Sequence, residues 1–302
     1  MKQNTHTIAM VRPAAFGFNE ETAANNFFQN SSQKNNDLLQ QLALQQFDAM
    51  VLLLRRHDID VLVLEDTATP KKPDAVFPNN WFSCQDGAIT LYPMFAKNRR
   101  TEKRQELIEN LKSKTGISVV NDWSEFEAKE KFLEGTGSMI IDHEFRIIYA
   151  CLSVRTDKIL LESFCKRNNY TPFYFCAADE NGKEIYHTNV MMCVGNCFAV
   201  VCLDAIVIDV EKKILVHELE TTGHEIVTIS FEQMNHFAGN MLQLKNKKGE
   251  YFLVMSKTAF DSLLPKQITA LQKYSTIVSP DVNHIEKAAG GSVRCMIAEL
   301  FF

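Results

Sequence analysis

Five polar turns recur along this chain at a nearly constant interval. Asn79 to Glu134 is 55 residues, Glu134 to His187 is 53, His187 to Asn240 is 53, and Asn240 to Cys295 is 55. Self-similarity at a fixed period of this size indicates an array or a propeller, because one unit cannot bury its apolar face alone. Each interval reads as a polar turn, a hairpin, a helix and a strand. The hairpins fall at 81–84 with 88–92, 138–141 with 145–149, 190–194 with 197–203, and 241–244 with 251–255. The spacing predicts helices over 101–114, 157–167 and 261–274, and a short strand over 117–120.

The ends of the chain lie outside this rhythm. Residues 7–11 read as a short strand stopped by Pro13, and a polar loop follows through Asn19 and Asn25-Asn26. Apolar residues at 38, 39, 42, 44, 47, 50, 51 and 54 suit an amphipathic helix over 37–56, and 60–64 reads as a strand. The last strand, 296–300, has no following partner. The orphan strand at 7–11 can pair with it, close the ring and remove exposed edges. The five turns then meet at one mouth, which gathers Asn79, Asn80, Glu134, His187, Asn240 and Cys295.

Composition narrows the function classes. The chain has 302 residues, 46% of them hydrophobic, and a formal charge of -5. No basic patch of the kind nucleic acid requires is present. The first six residues are polar, and the longest apolar runs are too short to span a membrane. The eight cysteines make no CxxC pair, Cys193 and Cys197 have no nearby His or Cys pair at zinc spacing, and most lie in apolar stretches. Unpaired thiols, no structural metal and a reducing, cytoplasmic compartment are the expectation.

Cys295 follows the paired glycines Gly290-Gly291, which let the backbone approach a ligand closely. A cysteine nucleophile needs a base or cation to favour its thiolate, and His187 is the one histidine at a repeat turn beside an apolar strand. A carboxylate such as Glu134 can orient the imidazole or bind a cationic substrate. On local sequence alone, Cys295 and His187 also read as core or turn residues, and Glu134 as a solvated turn acid.

Several segments together resemble one family. They are Pro73-Asp74-Ala75-Val76-Phe77, Phe132-Leu133-Glu134-Gly135-Thr136-Gly137, Leu152-Ser153-Val154-Arg155-Thr156, Tyr186-His187, Gly239-Asn240-Met241 and Gly290 to Cys295. The chain resembles the guanidino-group-modifying (pentein) superfamily, which includes arginine deiminase, arginine:glycine amidinotransferase and dimethylarginine dimethylaminohydrolase. With Phe77-Pro78-Asn79-Asn80-Trp81 and His187-Thr188-Asn189, it looks most like the citrulline-utilisation hydrolase branch. The resemblance implies an α/β fold, a five-bladed pseudo-symmetric propeller forming one domain over 1–302. It implies Cys295 as nucleophile, His187 as acid/base and Glu134 as the acid beside it. It places Asp74 at the border of the substrate pocket, with Asn79, Asn80 and Asn189 completing the lining. Arg99 and Arg155 match arginines that approach the substrate's α-carboxylate, and Arg294 is a weaker candidate. The bland reading makes Arg99 a solvated helix start and Arg155 a surface residue.

Two departures bear on the substrate. Guanidinium-binding relatives carry acids where this chain has Asn80 and Asn189. A guanidinium has donors only, so carboxylates suit it, whereas an amide offers one acceptor and one donor group without charge. The expectation is therefore a cysteine-dependent hydrolase of a linear ureido or amidino amino acid, most of all citrulline. Its products are ornithine, ammonia and carbon dioxide, and it needs no metal or organic cofactor. Arginine deiminase or dimethylaminohydrolase activity is the alternative, and a non-catalytic binding ring the third. Oligomeric state stays open, a homodimer included.

Overall fold

The structure, a computed structural model, describes residues 2–23, 26, 28, 29 and 36–302. Asn25, in the polar loop expected after the first strand, lies outside the described residues. Strand β1 (Thr7–Arg12) runs parallel to β2 (Asp60–Glu65), with Ile8 opposite Val61 and Val11 opposite Leu64. Helix Asn36–Arg56 connects them. It buries Leu39, Ala43, Phe47, Met50 and Leu54, a stripe spaced at three and four residues that faces the core.

The same pattern then repeats four times, as an antiparallel hairpin followed by a crossover to a parallel third strand. The second sheet holds β3 (Phe82–Gln85), β4 (Ala88–Leu91) and β5 (Val120–Asp122). The third holds β6 (Ile140–Asp142), β7 (Ile147–Cys151) and β8 (Thr171–Phe175). The fourth holds β9 (Met192–Val194), β10 (Phe198–Val201) and β11 (Glu225–Thr228). The fifth holds β12 (Leu242–Lys245), β13 (Tyr251–Val254) and β14 (Thr276–Val278). Finally β15 (Ala298–Glu299) returns to the first sheet, antiparallel to β1, with Ile8 opposite Glu299 and Ala9 opposite Ala298. The terminal strands pair as the sequence predicts. The first sheet is thus a copy of the others whose opening strand comes from the far end of the chain.

Alternate side chains of β1 enter different cores, as the twofold period of a strand requires. Ile8 and Met10 pack with Leu242, Leu244, Phe252 and Met296. Ala9 and Val11 pack with Phe82, Ile89, Leu91 and Leu300. The first sheet therefore buries one face against the fifth sheet and the other against the second.

Element boundaries differ from the sequence reading in several places, and the strand expected over 117–120 lies at Val120–Asp122. The helix expected over 261–274 is two helices, Lys257–Ser262 and Pro265–Gln272, because Pro265 has no amide hydrogen to donate and sits in the first turn of the second. The helix expected over 101–114 begins at Gln105, after a separate helical turn Lys97–Arg100, and stops at Gly116 in the left-handed conformation. Residue 138 closes a helical turn, Gly135–Ser138, so the hairpin begins only at Ile140. Among the described residues no helix is long and apolar enough to cross a membrane.

Candidate active site

The turn that carries Cys295 is held by short polar contacts. Gly290 adopts φ +66° and caps helix Asn283–Ala289. Gly291 lies flat against the Phe77 ring, where an added Cβ would come within 2.7 Å. The Ser292 hydroxyl donates to Glu286 at 2.6 Å, and the Cys295 amide donates to the Ser292 carbonyl at 3.0 Å. The Cys295 sulfur is thereby presented to two amides. Asn189 Nδ2 and Asn240 Nδ2 each lie 3.3 Å from Sγ.

His187 precedes the 3₁₀ turn Thr188–Val190 in extended backbone. Its Nε2 is 2.8 Å from Glu134 Oε2. A carboxylate acceptor assigns the hydrogen to Nε2, which leaves Nδ1 to exchange a proton with a ligand. Glu134 is fully buried, and it also accepts from the Phe95 amide at 2.9 Å and faces Arg155 Nη1 at 3.5 Å. Burial works to raise Glu134, but Arg155 and His187 override it and hold the carboxyl well below the usual range. Burial lowers His187 to about 4, with Glu134 opposing. At neutral pH the pair is a carboxylate and a neutral imidazole. Gly137 makes this approach feasible, since a Cβ there would stand 2.9 Å from His187 Nδ1 and 2.4 Å from Asn80 Nδ2.

Asp74, Asn80, Arg155, His187, Asn189 and Cys295 all border one cavity of about 20 Å³. Among the described residues, Asp74 Oδ1, Asn80 Nδ2 and Asn189 Oδ1 of this cavity have no hydrogen-bond partner. The orientation of Asn80 is fixed by its neighbour. Arg99 Nη1 donates to Asn80 Oδ1 at 2.7 Å, and a guanidinium has no acceptor, so the amide turns its NH₂ to the other side. Asp74 keeps Oδ2 on Asn19 Nδ2 at 2.6 Å, and burial pushes its carboxyl up, with Arg99 and Asn19 opposing.

The structure gathers Cys295, His187 and Glu134 as expected from sequence, and revises other placements. Asn79 is set back from the cavity, with its Nδ2 on Thr136 Oγ1 at 3.3 Å. Arg99 is buried rather than a solvated helix start, and Glu102 takes its Nε at 2.8 Å and Nη2 at 2.9 Å. The carboxylate that Arg99 meets is thus an internal one. Arg155 is buried, not a surface residue, and lies over the Tyr186 ring at 4.6 Å. Arg294 is directed to the Ile297 carbonyl and Glu299 and borders a separate cavity. Sequence reasoning missed the contact of Asn240 with the sulfur and the role of Glu102. The signal for Glu102 was its three-residue spacing from Arg99 on a helical turn.

A family model described as N,N dimethylarginine dimethylhydrolase, eukaryotic, matches residues 12–302. No curated protein matches the chain in sequence. Apo ArgZ, described as an arginine dihydrolase from the ornithine-ammonia cycle in cyanobacteria, is similar with a TM-score of 0.76 at 15% identity, over 97% of this chain and 40% of that one. This chain therefore spans 40% of the length of that relative. The N-terminal domain of ArgZ, in an asparagine-to-serine variant covalently bonded to a reaction intermediate, gives 0.73 at 15% identity, over 98% and 97%. DDAH from Pseudomonas aeruginosa, in a cysteine-to-serine variant complexed with citrulline, gives 0.65 at 16%, over 99% and 100%.

Proposed function

Because the chain belongs to the N,N dimethylarginine dimethylhydrolase family, within the guanidino-group-modifying superfamily of hydrolases acting on carbon–nitrogen bonds, we propose that it hydrolyses a linear ureido amino acid, citrulline. The unpartnered polar atoms of the cavity carry this reading. Asn80 Nδ2 is a donor, and Asn189 Oδ1 and Asp74 Oδ1 are acceptors. A ureido group has one C=O to meet the donor and N–H groups to meet the acceptors. A guanidinium has no acceptor, so it would leave the Asn80 NH₂ against another N–H, buried and unsatisfied. One observation favours the arginine alternative: the unpartnered Asp74 oxygen belongs to an acid, which suits a cation when ionised.

The reaction follows from the positions of the groups. The Cys295 thiol proton passes to His187 Nδ1, and Sγ attacks the ureido carbon. Asn80 Nδ2 meets the oxygen on which charge develops. Glu134 stabilises the imidazolium, which then protonates the departing amine, and the C–N bond to ornithine breaks. Water, deprotonated by His187, cleaves the carbamoyl thioester, and the released carbamate gives ammonia and carbon dioxide. The covalent intermediate described for the ArgZ domain supports this route. In the same reading the five sheets are blades of one closed ring and one domain, and the chain acts in the cytoplasm on a free amino acid.

The test is turnover of citrulline, arginine and dimethylarginine, followed by ornithine and ammonia release. The expected result is the highest kcat/KM for citrulline. Faster turnover of arginine would replace this substrate by the deiminase reading.

A further inference from the structure

Asn240 bridges three parts of the site with one amide. Its Oδ1 accepts from the Arg294 backbone N–H at 2.9 Å, directly before the nucleophile. That bond fixes the amide, since a backbone N–H demands an oxygen and the NH₂ must take the opposite side. The NH₂ then donates to the Asn189 carbonyl at 3.0 Å and reaches Cys295 Sγ at 3.3 Å. The Asn240 turn is pressed against the histidine turn, for a Cβ at Gly239 would stand 2.3 Å from the Val190 carbonyl.

We infer that Asn240 is a catalytic residue, whose amide, with that of Asn189, holds the negative charge of the Cys295 sulfur. The inference rests on Cys295 being the nucleophile, as in the function proposed above. Hydrogen bonds to an anion are stronger than those to a neutral acceptor, so two N–H donors aimed at sulfur favour thiolate over thiol. The imidazole is engaged elsewhere, with Nε2 on Glu134, and burial keeps it neutral at neutral pH. No imidazolium stands there before the thiol proton reaches His187, and the fixed amide dipoles meet the charge that forms on sulfur as that proton leaves. The other charged and titratable groups facing the sulfur across the cavity are Asp74, Arg99, Arg155, Tyr186 and His187. Burial with no hydrogen bond to the sulfur acts in the opposite sense at Cys165, whose thiol is pushed up to about 12.

The experiment is the rate of Cys295 alkylation by iodoacetamide against pH, in the full chain and in Asn240→Asp and Asn240→Ser. Asn240→Asp keeps an oxygen for the Arg294 amide and turns a second oxygen toward sulfur. Its alkylation midpoint should rise by at least about one pH unit, and kcat should fall at least about tenfold with KM little changed. Asn240→Ser should show a smaller rise in the same direction. A merely structural role would lower the melting temperature without moving the midpoint, and midpoints unchanged in the folded variants overturn the inference. Where Asn240→Asp does not fold, Asn240→Ser and Asn189→Ala carry the same reading. Cys295→Ser separates the two levels: retained turnover there refutes the nucleophile itself, whereas unchanged midpoints with Cys295 essential refute only Asn240.

Discussion

Replacing Asn80 by Asp exchanges the cavity donor Nδ2 for an acceptor. Asn80 is 3% exposed, and its Oδ1 already receives Arg99 Nη1 at 2.7 Å. In Asn80→Asp one oxygen keeps that bond and the other occupies the place of Nδ2. Arg99 keeps the new carboxylate ionised, so no proton restores the lost donor. A ureido oxygen then faces a carboxylate oxygen, which costs about 1–3 kcal/mol, or about 5- to 150-fold in kcat/KM for citrulline. An arginine N–H at the same place gains a charge-assisted bond, diluted because Arg99 shares the charge. The ratio of citrulline to arginine kcat/KM should therefore fall at least about tenfold. Adding Asn189→Asp supplies a second acid but removes the 3.3 Å donor to Sγ, so the double variant should be slower on both substrates. The ratio survives this loss because the sulfur is common to both reactions. Steady-state kinetics on both substrates, read by ornithine and ammonia release, decide it. An unchanged ratio in the single and double variants would show that these amides do not read the ligand's charge.

Cys295→Ser should abolish turnover and leave the melting temperature within about two degrees, since the thiol makes two weak contacts that a hydroxyl retains; wild-type turnover in this variant excludes a covalent route. Gly137→Ala should reduce kcat/KM at least about a hundredfold and destabilise by about 1–3 kcal/mol, because the new Cβ displaces Asn80 and His187 together. Ordinary activity in Gly137→Ala would mean that this close approach is dispensable. Burial lowers His187 to about 4 and His143 to about 3, against an ordinary value of 6.5. At these two histidines the folded protein therefore binds fewer protons than the unfolded chain below pH 6.5, and their contribution to stability falls as pH drops from there toward 4. Each proton contributes a slope of about 1.4 kcal/mol per pH unit, so His143→Gln should flatten the urea midpoint against pH. Identical slopes in the two proteins would contradict the buried neutral state of His143.

The period was legible because each unit repeats its own turn chemistry, and the catalytic trio because its members occupy equivalent turns. Asn80 and Asn189 were legible as amides standing where relatives carry acids. Their orientation was not, because it depends on Arg99 in one case and on the Cys295 sulfur in the other. The pairing of Arg99 was hidden for a related reason: sequence shows a cationic side chain, and only packing shows that Glu102 bonds to it. Asn240 looked like a turn residue because its distinguishing bond joins positions 54 residues apart. The break at Pro265 was readable, as proline rarely continues a helix, but the apolar spacing on either side concealed it.

The pairing of β15 with β1 joins Ala298 to Ala9. This pairing joins the two ends of the fold, and loop-closure entropy sets nearly the whole length of the chain against it. Cys295 lies three residues before that strand, so the seam and the position of its sulfur are set together. During synthesis the histidine and glutamate turns emerge well before the cysteine reaches them. A chain whose seam has frayed keeps four sheets and loses its chemistry, and fraying at this seam would act as a disarming step before global unfolding.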